Sequence, residues 1–179
     1  MSHESGPENG SRSKEAFMTQ KNLARWIKGI LLGFAVFGII FCVCVIYFGI
    51  IPLFGRDIYY ADKAYMFTPW MVFLLITAAP CYVFLIFGWR IAQNIENDKS
   101  FSAENSQYLK KMAYLALGDS IFFFIGNVVL LLLNLSHPGM LLGSLVIDFL
   151  GVSVSVGCAA LSHLVRKAYE IQAENELTI

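Results

Sequence analysis

Four long apolar runs constrain the fold of this chain more than any other feature. The runs are 29–51, 66–89, 112–135 and 139–165. Each is longer than the roughly 20 residues that an α-helix needs to cross the hydrocarbon of a bilayer. The strands of a membrane barrel would instead alternate polar and apolar residues. We therefore expect an all-α integral membrane protein with four spanning helices.

The composition supports a membrane protein and argues against other classes. Of the 179 residues, 57% are apolar and 15% are charged, whereas a soluble domain carries about 25% charged residues. The 13 basic and 13 acidic residues cancel, which leaves no broad basic face for direct binding of nucleic acid. The four cysteines lie inside apolar runs, so we interpret them as small hydrophobic side chains rather than disulfides or metal ligands.

Motifs that would indicate catalysis are missing from the sequence. It contains no Ser-His-Asp order, no zinc-protease helix, no phosphate loop and no dinucleotide fingerprint. We therefore expect neither enzymatic activity nor a cofactor.

The distribution of Lys and Arg predicts how the chain is oriented in the membrane. Of the 13 such residues, all but Arg56 and Lys63 lie before the first run, between the second and third runs, or after the fourth. The positive-inside rule places these segments, and so both termini, in the cytoplasm. Together with the short turn between the third and fourth runs, this orientation predicts an antiparallel, up-down-up-down four-helix bundle.

The polar ends of the chain predict its domain organisation. Residues 1–20 are rich in Ser, Gly, Asn and Glu and lack apolar periodicity, so we expect a disordered cytoplasmic tail. Residues 21–173 form a single transmembrane domain, and 174–179 form a cytoplasmic C-terminal tail. The sequence has no internal repeat of the kind that many secondary transporters show.

Two carboxyl side chains interrupt the apolar runs, and both are candidate functional residues. Asp119 lies in the third run and Asp148 in the fourth. An Asp at the centre of a spanning helix costs about 2.5–3.5 kcal/mol on insertion scales, so it usually faces protein or a wet cavity. Because Asp119 is nearer the cytoplasmic start of its run, it has a further alternative, which is to reach lipid headgroups or Lys110 and Lys111.

Asp148 has polar neighbours with which it can form an intramembrane network. We place it at about the depth of Asn127 on the third helix. On the fourth helix it belongs to a stripe of small and polar residues, namely Ser144, Asp148, Gly151, Ser155 and Ser162. One hypothesis is a proton- or ion-responsive core in which Asp148 pairs with Asn127. The other is a packing device, in which a carboxyl held protonated by burial bonds a neighbouring helix.

Two short motifs carry a family resemblance. Residues 99–105 read Lys-Ser-Phe-Ser-Ala-Glu-Asn, with Leu109 and Ala113 following, and residues 176–179 read Glu-Leu-Thr-Ile. Together these resemble the bacterial membrane family catalogued as domain of unknown function 2975, over roughly 21–179, and the resemblance implies a multi-pass protein of the bacterial plasma membrane. Members have four spans, a Phe-Ser-x-x-Asn-x-x-x-Leu segment that opens the third helix, and often an acidic-Leu-Thr-aliphatic tail. Many are encoded beside a small helix-turn-helix regulator, so the resemblance implies a cytoplasmic partner and no established activity.

The resemblance favours a non-enzymatic regulatory protein that relays a membrane or ligand state by holding or releasing such a regulator. The expected partner-binding residues are Phe101, Ser102, Asn105, Leu177, Thr178 and Ile179. A purely structural alternative is that Ser102 and Asn105 cap a helix while Phe101 covers the inner end of the bundle. A different class of function also stays open. It is a small transporter, channel or peptide-immunity protein that uses Asp119, Asn127 and Asp148 and assembles as a homo-oligomer.

Overall fold

Four long helices make up the fold of the computed structural model. It describes the backbone of residues 7–54 and 64–176, and the side chains of residues 19–47 and 67–175. The helices are α1 (Pro7–Phe54), α2 (Ala64–Glu96), α3 (Ala103–Leu132) and α4 (Pro138–Glu176), and the described residues contain no strand. All four are long and apolar enough to cross a bilayer. The expected all-α fold with four spans is therefore confirmed, whereas the orientation of the termini stays a prediction from the charges.

Each helix extends beyond its apolar run at one end of the molecule. α2 continues to Glu96, α3 already begins at Ala103, and α4 continues to Glu176. At the opposite end only a short turn joins α3 to α4. We call the first end the charged end, because Lys28, Glu96, Lys99 and Arg166 lie there, and the second the hairpin end.

The start of α1 differs from the predicted disordered tail 1–20. The helix begins at Pro7. Proline suits the first turn of a helix, since its missing N–H would be unpaired there in any case. Several of the residues that follow are Lys, Glu, Ala, Met and Gln, which have high helix propensity. The division of the chain at residues 20 and 173 stays a prediction.

The helices pack in chain order to give an open bundle. α1 packs on α2, α2 on α3, and α3 on α4, and the last contact is the most extensive. Among the described residues α1 makes no comparable contact with α4, so these two helices form the edges of the bundle. Most large apolar side chains on the outer faces are exposed, which suits contact with lipid tails.

Small residues allow α3 and α4 to approach closely. The buried stripe of α3 repeats every seven residues, at Ser106, Ala113, Ser120 and Asn127. On α4 a Cβ atom added to Gly151 would lie 2.2 Å from Ser120 Oγ, so the glycine leaves room for the facing serine. Close backbone approach through small residues is the usual way in which helices associate inside a membrane.

Individual side chains connect α2 to its neighbours. Trp70 Nε1 donates to the carbonyl oxygen of Leu135 at 2.7 Å, at the hairpin end. Phe73 packs against Gly126, where an added Cβ atom would lie 2.1 Å from the ring. At the charged end the ammonium of Lys28 on α1 pairs with the carboxylate of Glu96 on α2. These contacts hold α2 between α1 and α3.

Candidate functional site

The loop between α2 and α3 contains three of the predicted partner-binding residues, and Ser102 is the cap of α3. Its backbone is extended, and its side-chain oxygen accepts from the backbone N–H of Asn105 at 3.2 Å. This bond satisfies one of the free N–H groups at the start of the helix. Asp98 turns the chain before it with a φ of 59°, a left-handed conformation that Asp tolerates better than most residues.

Asn105 closes this loop with its whole side chain. Its Nδ2 donates to the carbonyl oxygens of Lys99 and Ser100, both at 3.0 Å, and its Oδ1 accepts from Nδ2 of Asn94 at 2.7 Å. Only 1% of Asn105 is exposed. A partner therefore cannot touch this side chain unless the loop opens, and Asn94, which the sequence did not single out, is its counterpart on α2.

Phe101 differs from its two motif neighbours because 58% of it is exposed. It is therefore the loop residue that remains available for contact with a partner. The other three predicted contact residues, Leu177, Thr178 and Ile179, lie outside the described residues. Of the predicted set, Ser102 and Asn105 thus form hydrogen bonds inside the loop, and Phe101 is exposed.

Directly after Asn105, a pair of serines joins α3 to α4. Ser106 Oγ donates to the carbonyl oxygen of Ser162 at 2.9 Å, and Ser162 Oγ donates to that of Ser106 at 2.7 Å. Both residues are buried. We call this the serine clasp. The sequence analysis did not identify Ser106. Continuing the seven-residue spacing of Asn127 and Ser120 towards the N-terminus leads to Ala113 and then to Ser106.

We predicted that Ser155 belongs to an intramembrane network. It makes a similar bond to α3 at a position seven residues before Ser162 on α4. Its Oγ donates to the carbonyl oxygen of Ala113 at 2.8 Å. Its partner is therefore the backbone of α3. Together with the serine clasp, this bond determines the register in which the two helices pack.

That register separates Asp148 from Asn127. With Ser106 opposite Ser162 and Ala113 opposite Ser155, Asp148 lies level with Ser120, two helical turns or about 10 Å from the level of Asn127. Asn127 instead donates to the carbonyl oxygen of Phe123 on its own helix at 2.8 Å. The expected pair of Asp148 and Asn127 is therefore not formed, because the depth estimated from the sequence placed α4 in the wrong register.

Both carboxyl groups inside the membrane have unsatisfied oxygens. The two oxygens of Asp148 are shielded from solvent and have no hydrogen-bond partner among the described residues. Oδ2 of Asp119 accepts from Sγ of Cys81 at 3.7 Å, whereas Oδ1 is shielded and has no partner within the same part of the chain. Buried polar groups without partners are uncommon in native proteins, so these oxygens call for an explanation.

Asp119 is partly buried near the middle of α3 and contacts α2 through Cys81. Lys111, one of its expected alternative partners, instead lies over the ring of Phe87 at 5.8 Å from the ring centre.

Polar groups from three helices lie at this level. Cys81 on α2 donates to Asp119 on α3, and the register of α3 on α4 places Asp148 level with Ser120, the residue after Asp119. We call Cys81, Asp119 and Asp148 the transverse row. Within the described part of the chain, no group of three or more His, Cys, Asp or Glu residues is arranged to hold a metal ion. The row was not apparent from the sequence, because its members are far apart in the chain.

The fold and the polar groups inside it define a small multi-pass membrane protein with four spanning helices. The family model described as "Protein of unknown function (DUF2975)" matches residues 56–179, and the chain belongs to this family. The resemblance drawn from the two short motifs is therefore confirmed. The matched range contains α2, α3 and α4 and starts later than the expected 21–179, so that α1 lies outside it.

A bacterial relative agrees with this assignment. The chain is similar to the uncharacterized membrane protein YoaS of Bacillus subtilis (strain 168), with 33% identity over 110 residues that cover 60% of this chain and 69% of the relative. No solved structure matches the chain. The expected location, a multi-pass protein in the bacterial plasma membrane, is confirmed by this relative and by the four spanning helices.

Proposed function

We propose that this protein is a regulatory membrane protein that relays a membrane or ligand state to a small cytoplasmic helix-turn-helix regulator. The observation that carries the proposal is the asymmetry of the two ends of the bundle. Helices α2, α3 and α4 extend beyond their apolar runs at the charged end, whereas a short turn joins α3 and α4 at the hairpin end. A soluble partner thus has a substantial surface only at the charged end of the described residues.

The charged end offers side chains suited to a protein partner. Phe101 is exposed beside the loop, and Tyr169 and Ile171 are exposed on the projecting part of α4. Arg166 and Glu170, one turn apart on the same helix, form an ion pair at 2.9 Å. Exposed aromatic and aliphatic side chains surrounded by charges are typical of the core and rim of a protein interface.

The serine clasp couples the membrane-spanning parts of α3 and α4 to this surface. Ser106 follows Asn105 directly, and its partner Ser162 lies on α4 just before the projecting segment. A shift of α4 along α3 must therefore break the clasp and move Tyr169 and Ile171 relative to Phe101. In the proposed mechanism the partner binds one of these two arrangements and is released by the other, and no catalytic step is needed.

A cross-linked pull-down from native membranes tests this proposal. The full-length protein is compared with a version lacking 174–179, with Phe101→Ala and with Leu133→Ala. Leu133 is the matched control, because it is 60% exposed but lies at the hairpin end. We expect a small helix-turn-helix protein to be captured by the full-length protein and Leu133→Ala, and at least fivefold less by the other two. Equal capture by all four, or no cytoplasmic protein captured by any, would overturn the proposal.

The unsatisfied carboxyl oxygens favour a second candidate function. Asp119 and Asp148 have polar oxygens without partners in the described residues, and such groups inside a membrane often mark an ion or substrate path. The candidate is a small transporter, channel or peptide-immunity protein that assembles from several copies. Flux of ions or peptides into proteoliposomes that disappears in Asp148→Asn would support it. Wild-type proteoliposomes that are as tight as empty ones would exclude it.

A further inference from the structure

A cavity between α2 and α3 opens towards the lipid at the level of Asp119. Its volume is about 320 Å³, and α2 contributes Ile76 and Pro80 to its lining. α3 contributes Tyr114, Leu115, Gly118, Asp119 and Phe122. Apart from the carboxyl of Asp119 and the hydroxyl of Tyr114, the lining side chains are apolar. We call this cavity the lateral groove.

The outer wall of the lateral groove is accessible from the bilayer. Ile76, Tyr114 and Phe122 are all exposed on the surface that faces lipid. Gly118 leaves further space, since a Cβ atom added there would meet nothing within 4 Å. A molecule dissolved in the membrane can therefore enter from the side, without passing through the bundle.

Asp119 and Ile76, which both line this space, each carry a hydrogen-bond acceptor. Asp119 lines the groove, and its carboxyl is satisfied only by the weak donor Sγ of Cys81. Pro80 has no N–H, so the carbonyl oxygen of Ile76, one turn earlier on α2, loses its usual helical partner. Apart from the hydroxyl of Tyr114 on its exposed outer wall, the groove thus offers a carboxyl in an apolar lining, which suits a ligand that brings a basic nitrogen.

We propose that the lateral groove binds an apolar molecule with a long hydrocarbon body and an amine head group. The body fills the space beside Gly118 and the nitrogen meets Asp119. A neutral amine can reach this depth through lipid, and the proton of the Asp119 carboxyl then moves to the amine nitrogen. The products are an ammonium and a carboxylate held as a pair, so the net charge of the site does not change. The ammonium N–H groups donate to the carboxylate of Asp119.

Charge complementarity distinguishes this occupant from an ordinary lipid tail. A fatty acyl chain fills the apolar lining but brings no donor to the carboxyl oxygens of Asp119. An amine satisfies them and removes the cost of leaving a polar group unpaired in the membrane. This proposal does not depend on the regulator at the charged end, and it is tested by a readout that involves no cytoplasmic protein.

Photolabelling of the purified protein in phosphatidylcholine nanodiscs tests this site. The probe is a hexadecyl amine with a photoreactive diazirine, and the comparison probe is the same chain without a head group. We expect the amine to label the lining of the lateral groove at least fivefold more strongly than the headless chain. Equal labelling by the two probes would mean that the groove holds only hydrocarbon chains, and it would overturn the proposal.

A matched pair of glycine variants shows where the probe binds. Gly118→Leu fills the groove, whereas Gly143→Leu adds the same side chain to α4 at a position that also has open space around it. Labelling by the amine should fall at least fivefold in the first variant and less than twofold in the second. Equal labelling of the two variants contradicts the assigned site.

The role of the carboxyl is tested separately. Asp119→Asn should lose the preference for the amine over the headless chain, and Asp119→Glu should keep it. If Asp119→Asn does not elute as a folded protein, the two probes compared on the wild type and the glycine pair still decide the outcome. An amine preference that persists in folded Asp119→Asn refutes the proposed contact.

Discussion

The charged-end loop and the transverse row both bury polar side chains, but they do so in opposite ways. In the loop, Asn105 makes three side-chain hydrogen bonds, and the serine clasp behind it is reciprocal. In the row, both oxygens of Asp148 and one of Asp119 have no partner in the described residues. Satisfied buried groups stabilise one structure, whereas unsatisfied ones lower stability and are kept where they do something else. The comparison therefore indicates that Asn105 and the serine clasp stabilise the fold, whereas the carboxyls of the row are the groups at which we propose that a ligand or ion acts.

The largest effect is expected at the loop. Asn105→Ala removes three side-chain hydrogen bonds and takes this donor from the carbonyl oxygens of Lys99 and Ser100, so the free energy of unfolding should fall by about 2–3 kcal/mol. Thermal unfolding of the detergent-solubilised protein measures this loss. Gln107→Ala, an exposed position on the same helix, serves as the control and should change little. A loss of similar size in both variants would remove the contrast between loop and row.

The row should respond with the opposite sign. Asp148→Leu replaces an unpartnered carboxyl with an apolar side chain, so we expect the free energy of unfolding to rise by about 1–2 kcal/mol. The same thermal measurement, compared with Asp148→Asn, checks the sign. A clear destabilisation by Asp148→Leu would show that the carboxyl is bonded in the membrane and would place the row with the loop as a structural feature.

The serine clasp should show a smaller but directly measurable coupling. A double-mutant cycle of Ser106→Ala and Ser162→Ala should give an interaction free energy of about 1 kcal/mol, within the range found for hydrogen bonds between membrane helices. Ser153, whose Oγ donates to Phe149 on its own helix, is the control partner for Ser106 and should give no coupling. A coupling near zero for the clasp would mean that it does not join the two helices energetically.

The smallest effect is expected on the exposed surface of the charged end. Arg166→Ala removes an ion pair with Glu170 one helical turn away, which should lower the free energy of unfolding by no more than about 0.5 kcal/mol. The loss should shrink further at high salt. A larger, salt-independent loss would show that this part of α4 is held by contacts beyond the ion pair.

The number and type of helices were predictable, and so was part of the charged end. The runs of apolar residues predicted all four helices, since in a bilayer a spanning segment has to satisfy its own backbone groups. The role of Ser102 as a cap was one of the alternatives that its position favoured, and the structure has this bond. Helix caps and spanning segments are local features, because each depends only on residues of one continuous segment of the chain.

The partners of the intramembrane carboxyls were not predictable. One of the two hypotheses from the sequence paired Asp148 with Asn127, but in the structure Asn127 bonds its own helix and Asp119 accepts from Cys81 on α2. A difference of two turns in the register of α3 against α4 accounts for the change. The burial of Asn105 behind Asn94 depended in the same way on how α2 meets α3.

The class of this protein therefore follows from its sequence alone: four apolar helices in the membrane, with a charged end and a capped third helix. Those features depend on hydrophobicity, length and neighbouring residues, which act along a single segment. The register of α3 on α4, the transverse row and the lateral groove became apparent only once the helices were seen packed together. Each of these depends on the depth at which residues of different helices meet, and that depth is determined by the packing of small side chains such as Ser120 against Gly151.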